Sequence, residues 1–161
     1  MTQSVSTVLL WFAAIGCGMM AGLYFAFSTF IMTALGRIPQ AHGMSAMQSI
    51  NTTILQSLFM PLFWGTTLAA LALAGLALFR LGETAATAML VAGILYVVGM
   101  FVCTVIFNVP LNNALDAVDP SGADAAAVWA RYLKDWTFWN HLRTVASAAA
   151  SALFVVALVA R

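Results

Sequence analysis

Asn140, His141 and Arg143 open one apolar stretch of this chain, and Asn108, Asn112 and Asn113 close another. Polar groups beside long apolar runs are costly unless paired or working, so they are the first candidates for function. By type His141 alone among them has an ordinary pKa near neutrality, which suits it to general acid–base work; a structural histidine bonded to a carbonyl, or one placed at the interface, is the plainer reading. Arg143 keeps its charge and can hold a substrate anion or a developing oxyanion. It can equally snorkel to headgroups or pair with Asp116, Asp119 or Asp135. The four asparagines can orient a ligand, and Asn108 and Asn112 can instead tie up carbonyls freed by Pro110. Trp64, Trp136 and Trp139 offer flat walls for a stacked ring.

On a helix, Trp136, Asn140 and Arg143 share one face, and Thr137, His141 and Thr144 share another about 100° away. A pocket between helices is expected to be lined by both edges. The chain has two histidines and two cysteines, and Cys17 and Cys103 lie in apolar runs without metal-ligand spacing, so a protein metal site finds no support. The cofactor is left undefined, with a haem or metal on His141 still open. No phosphate loop, G-x-S-x-G or HExxH motif occurs, which argues against nucleotide hydrolysis and hydrolase chemistry.

The elements that must position these residues are membrane helices. Of 161 residues 63% are apolar and 7% charged, and the mean hydropathy is +0.99. A soluble domain carries about a quarter charged residues. No Lys, Arg, Asp or Glu occurs over 1–36, 38–79 or 84–115, and about 20 residues suffice for one crossing. The net charge of +1 offers no basic arm, so nucleic acid is not an expected partner. The lipid bilayer and an apolar small molecule are. Without a basic n-region, the first helix reads as a span that stays in the mature protein.

The pattern predicts one all-α domain: four transmembrane helices in an up-and-down bundle, over about 7–35, 54–79, 84–108 and 136–160. An interfacial amphipathic helix over about 120–135 precedes the fourth and runs on into it, with Asp119 as N-cap, Pro120 at the first helical position and Trp129, Tyr132, Leu133 and Trp136 on one face. Pro61 is expected to kink the second span, and Pro110 to end the third. Gly18 and Gly22 allow close approach of a neighbouring helix, within the chain or in a homo-oligomer. Arg37, Arg131, Lys134 and Arg143 lie at one end, and Arg80 and Arg161 at the other. The Arg37 and Arg131 loops are therefore expected to be cytoplasmic, at the inner membrane if the protein is bacterial.

Phe107-Asn-Val-Pro-Leu-Asn112 and Trp136-Thr-Phe-Trp-Asn-His-Leu-Arg143, preceded by Gly22-Leu-Tyr-Phe-Ala-Phe-Ser28 and Met47-Gln-Ser-Ile-Asn51, resemble the anthrone oxygenase-like membrane family over nearly the whole chain. The resemblance implies a four-span fold and an O2-using oxidoreductase, a monooxygenase without an obvious cofactor; fungal members are associated with oxidation of anthrones to anthraquinones. On that analogy His141 removes an acidic proton, and Arg143, Asn108 and Asn112 hold the oxyanion. Trp64, Asn113, Trp136, Trp139 and Asn140 would then surround the substrate. The competing class is a non-enzymatic membrane module that binds a small molecule or haem, or serves as an assembly subunit.

Overall fold

The computed structural model describes residues 3–160, and Arg161, counted above in the charge balance, lies outside them. Every regular element among the described residues is helical. Helix α1 (Gln3–Ala26) runs through a π-helical turn, Phe27–Ile31, into α2 (Met32–Arg37). Helix α3 (Gln40–Ile54) starts after Pro39, and α4 (Phe59–Ala77) ends in a 3-10 turn at Leu78–Arg80. Helix α5 (Thr84–Ile94) continues through π-helical segments Leu95–Val102 and Thr104–Asn108 into α6 (Val109–Asp116). Helix α7 (Ala125–Val159) is the last described element.

Four of these runs are long and apolar enough to cross a membrane: Ser4–Arg37, Phe59–Arg80, Thr84–Asp116 and Ala125–Val159. Their outward residues, among them Trp11, Ile15, Val98, Val145 and Val155, are large, apolar and exposed. A surface that apolar matches lipid and would be a liability in water. The protein is an integral membrane protein. Helix α1 packs on α4 and α7, and α5 packs on the same two, which closes a four-membered ring. The α4–α5 turn is closed by Arg80, whose Nε and Nη2 donate to Glu83 Oε1 and Oε2 at 3.1 and 2.6 Å. Gly82 supplies the left-handed backbone there, at φ 104°, a conformation that disfavours a side chain.

Three expectations about helix ends need correction. Pro61 does not kink a span: α3 ends at Ile54, the chain turns, and Pro61 is the third residue of α4. Ser57 Oγ donates to the Ile54 carbonyl and accepts from Phe59 N–H, a local competitor to helix. A helix start needs no donor at Pro61, and the Ser57 carbonyl accepts from Met60 N–H at 3.2 Å instead.

Pro110 does not end the third span, which runs on to Asp116. Val109 keeps helical angles, φ −62° and ψ −46°, and its N–H reaches back five residues to the Thr104 carbonyl. Widening the repeat to i→i+5 ahead of the proline gives its ring room that an α-turn denies. The amphipathic segment does run on into the fourth span, as expected, but this one helix starts at Ala125, not Pro120. Asp119 instead accepts from the Ser121 N–H and hydroxyl at 2.9 and 2.7 Å, contacts that hold its carboxyl below the usual range.

The span containing α4 has 22 residues, whereas its three partners have 33–35, or about 50 Å at 1.5 Å per residue. Below the start of α4 the ring is therefore one helix short. Helix α3 takes that place, burying Gly43, Met44 and Met47 beside Phe27, Met32, Leu115, Trp129, Tyr132 and Trp136. Gln48 Nε2 donates to the Leu115 and Val118 carbonyls at 2.9 and 3.0 Å, which ties α3 to the chain at the end of α6. The substitute is imperfect, and a cavity is left beside it.

Candidate functional site

Along α7 the buried residues Trp129, Tyr132, Trp136, Asn140, Arg143 and Ser147 follow each other by three or four, so one stripe faces the bundle. The shared face expected for Trp136, Asn140 and Arg143 is this stripe. Arg143 is 4% exposed. Its Nη2 donates to Asn140 Oδ1 at 2.8 Å and its Nη1 to Thr104 Oγ1 at 3.4 Å. The guanidinium carbon lies 4.4 Å from the ring centre of Tyr24 and 5.0 Å from that of Trp136, within range of attraction between a cation and a ring face. Nε is itself fully buried and has no hydrogen-bond partner among the described residues.

Asn140 fixes this arrangement from behind. Its Nδ2 donates to the Tyr24 carbonyl and to Ser28 Oγ, both at 2.7 Å, next to the π-helical turn. Ser28 Oγ in turn lies 3.1 Å from Thr144 Oγ1. Asn108, 1% exposed, donates from Nδ2 to the Trp136 carbonyl at 3.2 Å. Thr104 Oγ1 donates to the Met100 carbonyl. The first, third and fourth spans are thus tied together around one guanidinium.

Arg143 borders a cavity of about 470 Å³, within the size range of small-molecule sites. Its walls are Tyr24 and Phe27 from the first span, Met47, Ile50 and Asn51 from α3, and Phe59, Phe63 and Trp64 from α4. Phe101, Thr104, Asn112, Asn113, Asp116 and Trp136 line it too, with aliphatic side chains such as Leu23, Ile54, Leu55 and Val105 between them. The Phe63, Trp64 and Phe101 rings meet at centre distances of 5.2–5.7 Å. Lower down, Asn51 Nδ2 donates to Tyr132 Oη at 3.4 Å, and Tyr132 Oη to Asn112 Oδ1 at 2.8 Å. The enclosure is an aromatic slot with amides at one end and a cation at the other.

Of the residues singled out by sequence, Trp64, Asn112, Asn113, Trp136 and Arg143 line this cavity. Asn108 and Asn140 stand one layer behind it, donating to backbone. Trp139 is elsewhere: its ring lies flat on Phe107 with centres 3.6 Å apart, beside a second groove of about 290 Å³ between α6 and α7. His141 does not share the pocket either. It follows Asn140 by one residue, a turn of about 100°, and that places it on the exposed outer face of α7.

The ion pairs considered for Arg143 do not form. Among the described residues the side-chain pairs are Arg80–Glu83 and Arg131–Asp135, the latter at 3.3 Å. No three His, Cys, Asp or Glu side chains gather to hold a metal ion among the described residues. Sequence reasoning missed Tyr24, Thr104 and Tyr132 as site residues, because aromatic and hydroxyl side chains are ordinary in membrane helices. The one available signal was the isolated arginine, whose neighbours had to come from other helices.

Gly18 lies against α7, where an added Cβ would come within 3.3 Å of Ser151 Oγ, while one on Gly22 would meet nothing. Comparison with known proteins gives one result. The sequence model of the family described as anthrone oxygenase matches residues 52–153. That stretch holds α4 through most of α7 with Asn108, Asn112, Asn140 and Arg143, and leaves out Tyr24 and Ser28. No curated protein and no solved structure matches the chain.

Proposed function

Because the chain belongs to the anthrone oxygenase family, we propose that it is a membrane-bound oxidoreductase that uses O2 on an apolar, anthrone-like aromatic substrate held in the cavity beside Arg143. One observation carries the reading: a buried guanidinium with no carboxylate partner borders a largely apolar cavity with aromatic walls. Rings stack on such walls, and preorganised donors act most strongly where water is excluded.

For an anthrone the reaction balances without an external reductant. Loss of a proton from the ring CH2 to bulk water gives an enolate; its carbon bonds O2, and the resulting peroxide anion takes up a proton from water as a hydroperoxide. Loss of water then leaves a ring carbonyl, so CH2 and O2 become C=O and H2O. Arg143 stabilises the charge carried by the enolate oxygen, while Tyr24, Trp64 and Trp136 hold the rings. His141, on the outer face, has no part in this scheme. The positive charges near Arg37 and Arg131 favour placing the cavity end on the cytoplasmic side.

The test is O2 uptake by the purified protein in detergent with an anthrone. Uptake matched to quinone formation is expected, falling about 100-fold in Arg143→Gln, the usual scale for losing an oxyanion donor. A rate equal to the spontaneous one would reject the reading.

A further inference from the structure

We propose that the cavity takes its ligand already ionised, and that its ligand class is aromatic oxygen monoanions: phenolates, enolates and carboxylates on a ring body. The proposal concerns the same cavity as the reading above, but it holds whether or not the bound molecule reacts.

The argument starts from an unbalanced charge. A cation taken out of water needs a counter-ion, and every partner of Arg143 is neutral: one amide oxygen, one hydroxyl and two ring faces. A guanidinium carries five N–H donors. Two are used, and Nε, itself fully buried, has no hydrogen-bond partner among the described residues; the group borders the cavity with its charge uncompensated. Among the described residues no carboxylate forms an ion pair with it.

Asp116 also borders the cavity, at the other end. It lies one turn beyond Asn112, which is bonded to Tyr132, and Tyr132 precedes Arg143 by eleven residues, or about 16 Å of helix. A carboxylate there cannot neutralise Arg143, and it disfavours a second negative charge at that end. A monoanion therefore lies with its head at Arg143 and its body along the aromatic walls. The cavity residues beside Arg143 are Tyr24, Thr104 and Trp136, none of which accepts a proton at neutral pH. Ionisation thus precedes binding.

The experiment compares anthracene-9-carboxylate with the uncharged anthracene-9-carboxamide, which has the same ring body, for the full chain in nanodiscs, with free ligand measured to correct for partition. The wild type is expected to bind the carboxylate at least tenfold more tightly, and Arg143→Gln to reduce that preference to threefold or less. Equal binding of the two by the wild type, or a tenfold preference surviving in Arg143→Gln, overturns the proposal. The wild-type comparison decides even if the variant does not fold. Anthrone oxidation without a carboxylate preference removes this proposal alone; a preference without oxidation removes the oxygenase reading alone.

Discussion

The two ends of the bundle use the same four spans in opposite ways. At the end that carries the α4–α5 turn, Ala13, Ala70, Ala77, Ala92, Ala150 and Ala157 are fully buried, and the helices meet through small side chains with Leu10, Leu73 and Phe154 filling the space between them. At the other end the buried stripe is Trp129, Tyr132, Trp136, Asn140 and Arg143, and a cavity separates the helices. In lipid, where burying apolar surface gives no drive to associate, small residues permit the close contact that holds helices together. The Ala-rich end thus supplies the stability that lets the other keep a buried cation and empty volume. The π-helical turns Phe27–Ile31 and Thr104–Asn108 adjoin Arg143's partners, in keeping with the tendency of such turns to mark functional sites.

If this division is right, the largest stability loss follows a change at the tight end. A Cβ on Gly93 would fall 2.6 Å from Ala74 Cβ and 2.7 Å from the Ala70 carbonyl. Backbone cannot yield as a side chain tip does, so Gly93→Leu is expected to destabilise by about 3 kcal/mol. Unfolding in mixed micelles would measure this, and a variant as stable as wild type would break the comparison. Arg143→Gln should do the reverse. Its loss is in turnover, about 100-fold, while the folded state keeps its stability or gains some, since an unpaired buried charge has been removed. Unfolding of Arg143→Gln well below the wild-type midpoint would show that the cation is structural.

A smaller effect separates the slot from its support. Tyr132 Oη joins Asn51 of α3 to Asn112 of α6, and its ring stacks between those of Trp129 and Trp136. Tyr132→Phe keeps the stack and removes the hydroxyl, so a loss of about 1 kcal/mol is expected, the usual scale for such a bond. Thermal unfolding would show it. A loss several times larger would mean that α3 is held by that hydroxyl and not by its buried methionines.

How much of this was legible in the sequence follows from what each signal depends on. The four spans were legible because length and hydropathy are properties of a segment by itself. The inward stripe of α7 was legible because Trp136, Asn140 and Arg143 recur at helical spacing. Helix ends were less so. Pro61 and Pro110 each have a general effect on a helix, yet one lies in a first turn where its missing donor costs nothing, and the other follows a π-turn that makes room for it. Such remedies depend on neighbours, as do Tyr24 and Thr104, which become site residues only when other helices bring them to Arg143.

His141 gives the smallest expected effect and the sharpest separation of residue type from position. By type it was the best candidate for moving a proton; by phase it sits on the outer face, one residue from Asn140 and on the wrong side of the helix. His141→Ala is therefore expected to leave both anthrone oxidation and the unfolding midpoint within error of wild type. A loss of rate as deep as that of Arg143→Gln, with unfolding unchanged, would mean that the reacting molecule meets α7 from its exposed face. The cavity would then be a feature of packing, and the division between a tight end and a working end would have to be redrawn across α7.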